Sequence, residues 1–463
     1  MHRSAGDLQR SLSKAGKILQ VAILAGLLAG CQLGSKAVPT QTPTNTITSS
    51  PSFTPPTLPM SSRSPTPTPT VTLPTSTPFP PFAELPTSEV SYLIPLTLQQ
   101  VSERSAQLLF ELDHAATGDL LLRMVEQGNN YVQSIPIFPN LTNQQINLGP
   151  LEPGTAYEVV LGLRTPDGSY AQPAFLGDAW GSLRFHIQPT AEPLRVGVIG
   201  DSGFGEPVTA QLAGLMAGER LDFVIHTGDL VYKAGENASP AEAFAIKYFQ
   251  PFAPLLHQLP IYPVPGNHDY APDARLDGNP YYFHAFPPLS DPILAAQTSS
   301  AKRQYYALAY QNIQFIFLDS QVFFGEEGRE EQDTWLSQRL QNDRFVYNVV
   351  ISHVPLFSSS TIHPEDSQPV RQAWQPLFAS AHVPLVLSGH SHDYERLMVD
   401  GVTYLVSGGG SDVLYPIGAR DPHSQAFSVS SHFVLLEFFE DQIKILAIDK
   451  NGKILDQAQV PLP

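Results

Sequence analysis

Between Leu194 and Leu387, one short apolar run after another ends in a carboxylate, an amide or a histidine. Leu194 to Ile199 runs into Gly200-Asp201-Ser202-Gly203, and Phe223 to Ile225 into Gly228-Asp229-Leu230-Val231-Tyr232. Ile261 to Val264 precedes Gly266-Asn267-His268-Asp269, Val346 to Ile351 precedes Ser352-His353, and Pro384 to Leu387 precedes Gly389-His390-Ser391-His392. Short, uninterrupted, β-rich runs read as buried strands of a largely parallel sheet. The intervening segments Pro207 to Glu219, Ala241 to Phe252 and Glu331 to Asn342 read as helices, and Ile313 to Leu318 as a further strand. Strands alternating with helices predict an α/β domain with helices on the sheet faces. The polar residues then gather along one edge, where strand C-termini meet and ligands bind.

Asp201, Asp229, Asn267, His353, His390 and His392 together supply two carboxylates, an amide oxygen and three imidazoles. Singly each is unremarkable, since Gly-Asp is a common turn pair and a strand often ends in histidine. In order, each at a strand end, they predict a metal site. Hard oxygens with imidazoles suit Fe, Zn or Mn rather than a thiolate-bound soft metal. Two metals would need a shared ligand, and a carboxylate can give one oxygen to each.

The ordered set resembles the calcineurin-like metallophosphoesterases, and within them the purple acid phosphatases. All five motifs of that branch have a match: Gly-Asp-x-Gly at 200–203, Gly-Asp-x-x-Tyr at 228–232, Gly-Asn-His-Asp at 266–269, Val-x-x-His at 350–353 and Gly-His-x-His at 389–392. The resemblance implies a metallophosphoesterase-type αββα sandwich over 191–463. It implies Asp201, Asp229, Tyr232 and His392 around a first metal, Fe3+, and Asp229, Asn267, His353 and His390 around a divalent ion, Fe2+, Zn2+ or Mn2+. Most of the wider superfamily has Asp-x-His in the first motif, whereas Gly203 stands here and Tyr232 supplies the replacement. The implied reaction is hydrolysis of small phosphate monoesters by a hydroxide held on the metals. His268 and His363 are the candidates for protonating the leaving group or binding phosphate. Plant members pair two adjacent histidines near the site; here the first of that pair is Ile362, so substrate preference does not carry over. Tyr394-Glu395-Arg396 matches a family triplet for which a structural role is at least as good a reading. His226 reads as a core histidine, and His284 and His432 carry no functional expectation. Phosphodiesters or nucleotides at the same site are the alternative substrates. A non-catalytic surface module is the third reading, against which the intact ligand set argues.

The rest of the chain is organised around this domain. Residues 88–190 hold short alternating segments, such as Ala106 to Leu112 and Leu120 to Val125, separated by turn signals, and predict an all-β sandwich. The stretch Leu151-Glu152-Pro153-Gly154-Thr155-Ala156-Tyr157 resembles fibronectin type III domains, which plant purple acid phosphatases also carry. No catalytic cluster is apparent there. Residues 32–87 are dominated by Pro-Thr repeats with few charges, predicting an extended tether. Residues 1–31 combine Arg3, Arg10, Lys14 and Lys17 with the apolar run Ile18 to Leu28, too short for a membrane span but suited to a signal peptide. That run closes on Leu28-Ala29-Gly30-Cys31, resembling the lipobox of bacterial lipoproteins, which implies a membrane anchor at Cys31 and an exported protein. An ordinary signal peptide with a chance cysteine is the alternative. Cys31 is the only cysteine, which excludes intramolecular disulfides. Residues 84–463 carry a net charge of −22, which repels nucleic acid.

Overall fold

The computed structural model describes residues 80–130, 132–187, 193–289 and 304–462. The signal-peptide, Cys31 and most tether expectations lie outside the described residues. The described residues begin slightly before the expected boundary at 88. Phe82–Glu84 forms a 3-10 turn, Phe82 and Leu85 are buried, and the first strand begins at Thr87. Among the described residues no helix is long and apolar enough to cross a membrane.

From Thr87 to His186 the described residues form β-strands, with one 3-10 segment at Val125–Asn130. Strand Thr87–Val101 pairs antiparallel with Ala106–Leu112, which pairs with Asn143–Leu148. A second block joins Gln133–Pro136, Gly118–Met124, Ala156–Arg164 and Leu183–His186. The parallel pairing of Thr87–Val101 with Tyr170–Phe175 links the blocks. Their inward residues, among them Leu108, Phe110, Leu120, Leu161 and Phe185, are fully or almost fully buried.

Beyond Leu194 the strands form two mixed sheets layered between helices, in agreement with the expected αββα sandwich, whereas the strand alternation alone had suggested one largely parallel sheet. In the first, Leu194–Ile199, Phe223–His226 and Ile261–Pro263 run parallel, and His432–Phe438, Gln442–Asp449 and Ile454–Pro461 extend it antiparallel. In the second, Ile313–Leu318, Tyr347–Ser352, Leu385–Ser388 and Val402–Ser407 run parallel. Tyr306–Tyr310 closes one edge of it; Tyr394–Val399 and Ser424–Ser428 close the other, all antiparallel. The chain's last three strands follow one another as hairpins, which need only a tight turn, whereas parallel neighbours need a crossover.

The two sheets share one apolar cluster, in which Val196, Val198, Phe223 and Ile225 of the first meet Phe315, Phe317, Val349 and Leu387 of the second. The second sheet's outer face carries helices Arg329–Leu340 and Ser367–Ser380 through Leu336, Trp374 and Phe378. Helices Pro207–Ala217 and Gln250–Leu256 pack on the outer face of the first, in a cluster continuous with that of the β region. The helix expected over Ala241–Phe252 is interrupted. Pro240–Phe244 and Gln250–Leu256 flank a π-helical turn at Ala245–Phe249, which delivers the buried Lys247 Nζ to the carbonyl oxygen of Tyr232 at 2.8 Å. Inserted π turns of this kind recur at functional sites.

Candidate metal centre

Each strand in the parallel core of the two sheets ends at the same edge, so the loops after Ile199, His226, Pro263, Ser352 and Ser388 converge. All seven residues expected as ligands meet there. Asp201, Asp229, Tyr232, His353 and His392 are almost completely buried, His390 is buried, and Asn267 is exposed. Asp201, Asp229 and His353 each offer a donor atom within 4.8 Å of the others. Asp201, Asp229 and His390 have φ of 57°, 55° and 65°, the left-handed region that costs an ordinary residue roughly 1–3 kcal/mol. Those reversals turn each side chain inward immediately after a strand.

The hydrogen bonds decide which atoms face the centre. His353 Nδ1 donates to the Thr227 carbonyl at 2.8 Å, leaving Nε2 at 3.0 Å from Asn267 Oδ1. His392 Nδ1 donates to the Val413 carbonyl at 2.6 Å, leaving Nε2 at 2.9 Å from the Tyr232 hydroxyl and 3.5 Å from Asp201 Oδ1. His390 Nε2 donates to Asp366 Oδ2 at 3.0 Å, leaving Nδ1 at 3.1 Å from Asn267 Oδ1. Such outer partners fix tautomer and ring orientation in metal-binding histidines. Lone pairs of three imidazoles therefore point at the oxygens of Asn267, Asp201 and Asp229. Acceptors facing acceptors are stable only with positive charge between them.

No Lys or Arg supplies that charge: among the described residues neither Asp201 nor Asp229 pairs with one. The titration of His353 reports the same demand. Burial opposes its charged form, yet Asp229 and Asp201 outweigh burial and raise the group to about 10. A proton on His353 stands where a cation belongs. The residues present thus fit a metal centre. Tyr232 is held as a neutral phenol by burial, Asp201 and Asp229, and its hydroxyl donates to Asp201 Oδ1 at 3.1 Å. Only a strongly charged metal would draw its proton off.

Residues 194–394 match the calcineurin-like phosphoesterase family model. Over this segment the chain is similar to calcineurin-like phosphoesterases. The curated relatives include purple acid phosphatase 23 of Arabidopsis thaliana, 27% identical over 229 residues, covering 45% of this chain and 48% of the relative. A phosphoenolpyruvate phosphatase of Allium cepa is 28% identical over 254 residues, covering 52% and 50%. The chain spans about half the length of the curated relatives it matches. In three dimensions it resembles a purple acid phosphatase from yellow lupin (Lupinus luteus) seeds. The TM-score is 0.61 and the identity 16%, covering 79% of this chain and 74% of that one, a likeness of fold. The phosphoesterase domain is thus of the metal-dependent kind.

The other expected residues are placed unequally. His268 donates its backbone N–H to Asp229 Oδ1 at 2.9 Å, and its ring centroid lies 4.3 Å from that of Tyr232. Burial, ahead of any neighbouring charge, lowers its pKa. His363 is half-exposed, also has a left-handed φ of 55°, and its ring centroid lies 5.3 Å from that of His390. His226 is a core residue: its Nδ1 accepts from Gly228 N–H, its Nε2 donates to Ser202 Oγ at 2.8 Å, and burial drops its pKa to about 3. Tyr394 and Arg396 both donate to Asp456, and Glu395 accepts from the Ser359 N–H and hydroxyl, so the triplet is structural. His284 joins the two folded regions through Glu111 Oε2 at 2.5 Å.

Four contributors escaped the sequence reading. Asp366 orients His390, and its spacing three residues after His363 was the only available signal. Asp269, the last residue of its motif, accepts from the N–H groups of Gly266, Asp229 and Leu230 and so ties two loops together. Phe204 stacks on Tyr232 and Tyr415 on His392, at centroid distances of 3.8 and 3.9 Å. No motif carried the last two.

Proposed function

We propose that this chain is an exported, lipid-anchored phosphatase of the purple acid phosphatase type that hydrolyses small phosphate monoesters. The observation that carries the reading is the convergence of buried acceptors on one point with a tyrosine hydroxyl among them. Asp201, Asp229, Tyr232 and His392 would hold Fe3+, and Asp229, Asn267, His353 and His390 a divalent ion. When bound, two such cations would offset the charge of a phosphate ester and lower the pKa of water. A phenolate is a hard ligand that favours the ferric ion, which is why Tyr232 selects this branch.

The chain's own residues do the rest. Asp229, which accepts from the His268 N–H, would be shared by the two ligand sets. His268 sits beside Tyr232 and His363 beside His390, one histidine for each half of the site. Either can pass a proton to the departing alkoxide. His268, with its lowered pKa, carries that proton only in acid, in keeping with an acid phosphatase. The β region, proposed as fibronectin type III-like, packs as a scaffold, and Cys31 would anchor the exported chain through a Pro/Thr-rich tether.

Metal analysis and a visible spectrum of the purified chain, followed by rates on a monoester and a bis-ester, test the reading. Iron with a second metal, visible colour and faster monoester turnover are expected. A colourless protein that turns over only the bis-ester would replace it with a diesterase. Labelling of wild-type cells with a radioactive fatty acid, lost in Cys31→Ala, tests the anchor.

A further inference from the structure

Among the described residues, the loops that build the rim of the site carry apolar and acidic side chains but no cation. The loops that build it span 200–206, 226–232, 266–270, 352–366, 388–395 and 408–415, and none contains a Lys or an Arg. Lys247, the basic side chain that reaches the Tyr232 loop, is spent on the carbonyls of Tyr232 and Lys233 at 2.8 and 3.2 Å. The carboxylates near the rim add to the repulsion. Asp366 sits on His390, and Glu206 Oε2 accepts from the Asp412 N–H at 2.8 Å. Once two cations sit in the centre, a single phosphate can be balanced there. Further phosphates would project toward loops that, among the described residues, hold carboxylates and no Lys or Arg.

Three apolar side chains line the same rim. Phe204, half-buried, lies face to face with Tyr232 at 3.8 Å and edge-on to His392 at 5.9 Å. Tyr415, also half-buried, lies parallel to His392 at 3.9 Å, with an interplanar angle of 7°. Ile362 precedes His363 and is 37% exposed. Its loop is fastened to that of Tyr415. Thr361 N–H and Oγ1 both donate to the Pro416 carbonyl, at 3.2 and 3.0 Å, Gly418 N–H donates to the Ser359 carbonyl at 2.9 Å, and Ser360 bridges Ile417. Ile362 and Tyr415 are thereby held side by side, on segments adjoining His363 and His392.

Resting on the phosphatase reading above, we infer that Phe204, Ile362 and Tyr415 form the wall against which the leaving group lies. The site accordingly selects phosphate monoesters of aromatic alcohols over compounds bearing several phosphates. An aryl group placed there loses its apolar surface from water and gains an offset or edge contact with two rings. A second or third phosphate gains neither.

The test uses the full chain loaded with its metals and begins with binding rather than turnover. Calorimetry with phenylphosphonate and methylphosphonate, equal in charge, should show about tenfold tighter binding of the former, equivalent to about 1.4 kcal/mol. Tyr415→Ala should bring that ratio close to one, and Tyr415→Phe should preserve it. In turnover, the loss of kcat/KM in Tyr415→Ala should be about tenfold larger for phenyl phosphate than for glycerol phosphate. Comparing the two proteins cancels the intrinsic reactivity of the leaving groups. Ile362→Lys should raise kcat/KM for tripolyphosphate by about tenfold, from a poor starting value, by placing a cation on the rim. Equal binding of the two phosphonates, or equal losses on both esters in Tyr415→Ala, would overturn the wall while leaving the phosphatase reading intact. A chain that binds neither phosphonate and hydrolyses no ester would overturn that reading itself.

Discussion

The backbone N–H of Tyr232 donates to the carbonyl oxygen of Gly203 at 2.8 Å. Gly203 of the first motif and Tyr232 of the second thus meet in one contact. A Cβ at position 203 would lie 2.3 Å from the backbone carbon and oxygen of Leu230 and 2.4 Å from Val231 N. The absence of a side chain at 203 lets the second loop descend onto the first, and that descent carries Tyr232 to Asp201.

Gly203→His therefore does not restore a ligand. It forces the two loops apart, with overpacking against backbone that side-chain repacking cannot relieve. A loss of about 3 kcal/mol or more is expected, read as a lowered midpoint in thermal or urea unfolding. Gly203→Ala should show most of the same loss, since the clash begins at Cβ.

Tyr232→Phe removes the hydroxyl and little else, because the ring remains stacked on Phe204. The iron-loaded variant is expected to lose the visible charge-transfer band. Colour retained in Tyr232→Phe would assign it to another ligand.

Asp366→Ala leaves every direct ligand in place but frees the His390 ring, whose Nε2 it accepts from at 3.0 Å. Affinity for the metal on the His353 side should fall about 10–100-fold, measured by equilibrium dialysis. Asp366→Asn, which still presents an oxygen to Nε2, should fall least.

The Glu111–His284 pair makes the joint between the two folded regions pH-dependent. The hydrogen bond to Glu111, ahead of burial, raises the His284 pKa above its ordinary value of about 6.5. A raised histidine contributes its stability in full below about pH 6.5 and loses it as pH climbs through the folded-state value. The midpoint difference between wild type and His284→Ala, followed by calorimetry from pH 5.5 to 9, should shrink as pH rises. An unchanged difference across that range would show the pair contributes through packing alone.

The seven ligand candidates were legible because each follows an apolar run, and a parallel strand must end in a loop at one edge. Gly203 and Tyr232 were legible as a pair, and the structure brings the Tyr232 hydroxyl beside Asp201 and His392. The division into two sheets came only through the motif resemblance and was not legible in the strand pattern itself, because Ile313–Leu318 and Leu194–Ile199 look alike as buried strands. Which sheet each joins depends on partners far along the chain, such as His432–Phe438 against Leu194–Ile199. The π turn that aims Lys247 was read as plain helix, since its residues suit either winding.

The sequence by itself determined the donor set, its order and its chemistry, because ligand type depends on side-chain identity and strand periodity fixes where loops fall. Only the tertiary structure decided which nitrogen of each histidine faces the centre. The acceptors that set those tautomers, Thr227, Val413 and Asp366, lie 126, 21 and 24 residues from the rings they hold. Two of them are backbone carbonyls, which every residue carries and no motif can mark. The aromatic rim was decided in the same way: Phe204 and Tyr415 gain meaning only from the rings beneath them, Tyr232 and His392. Stacking is a property of distance in space, and the chain writes down only distance along itself.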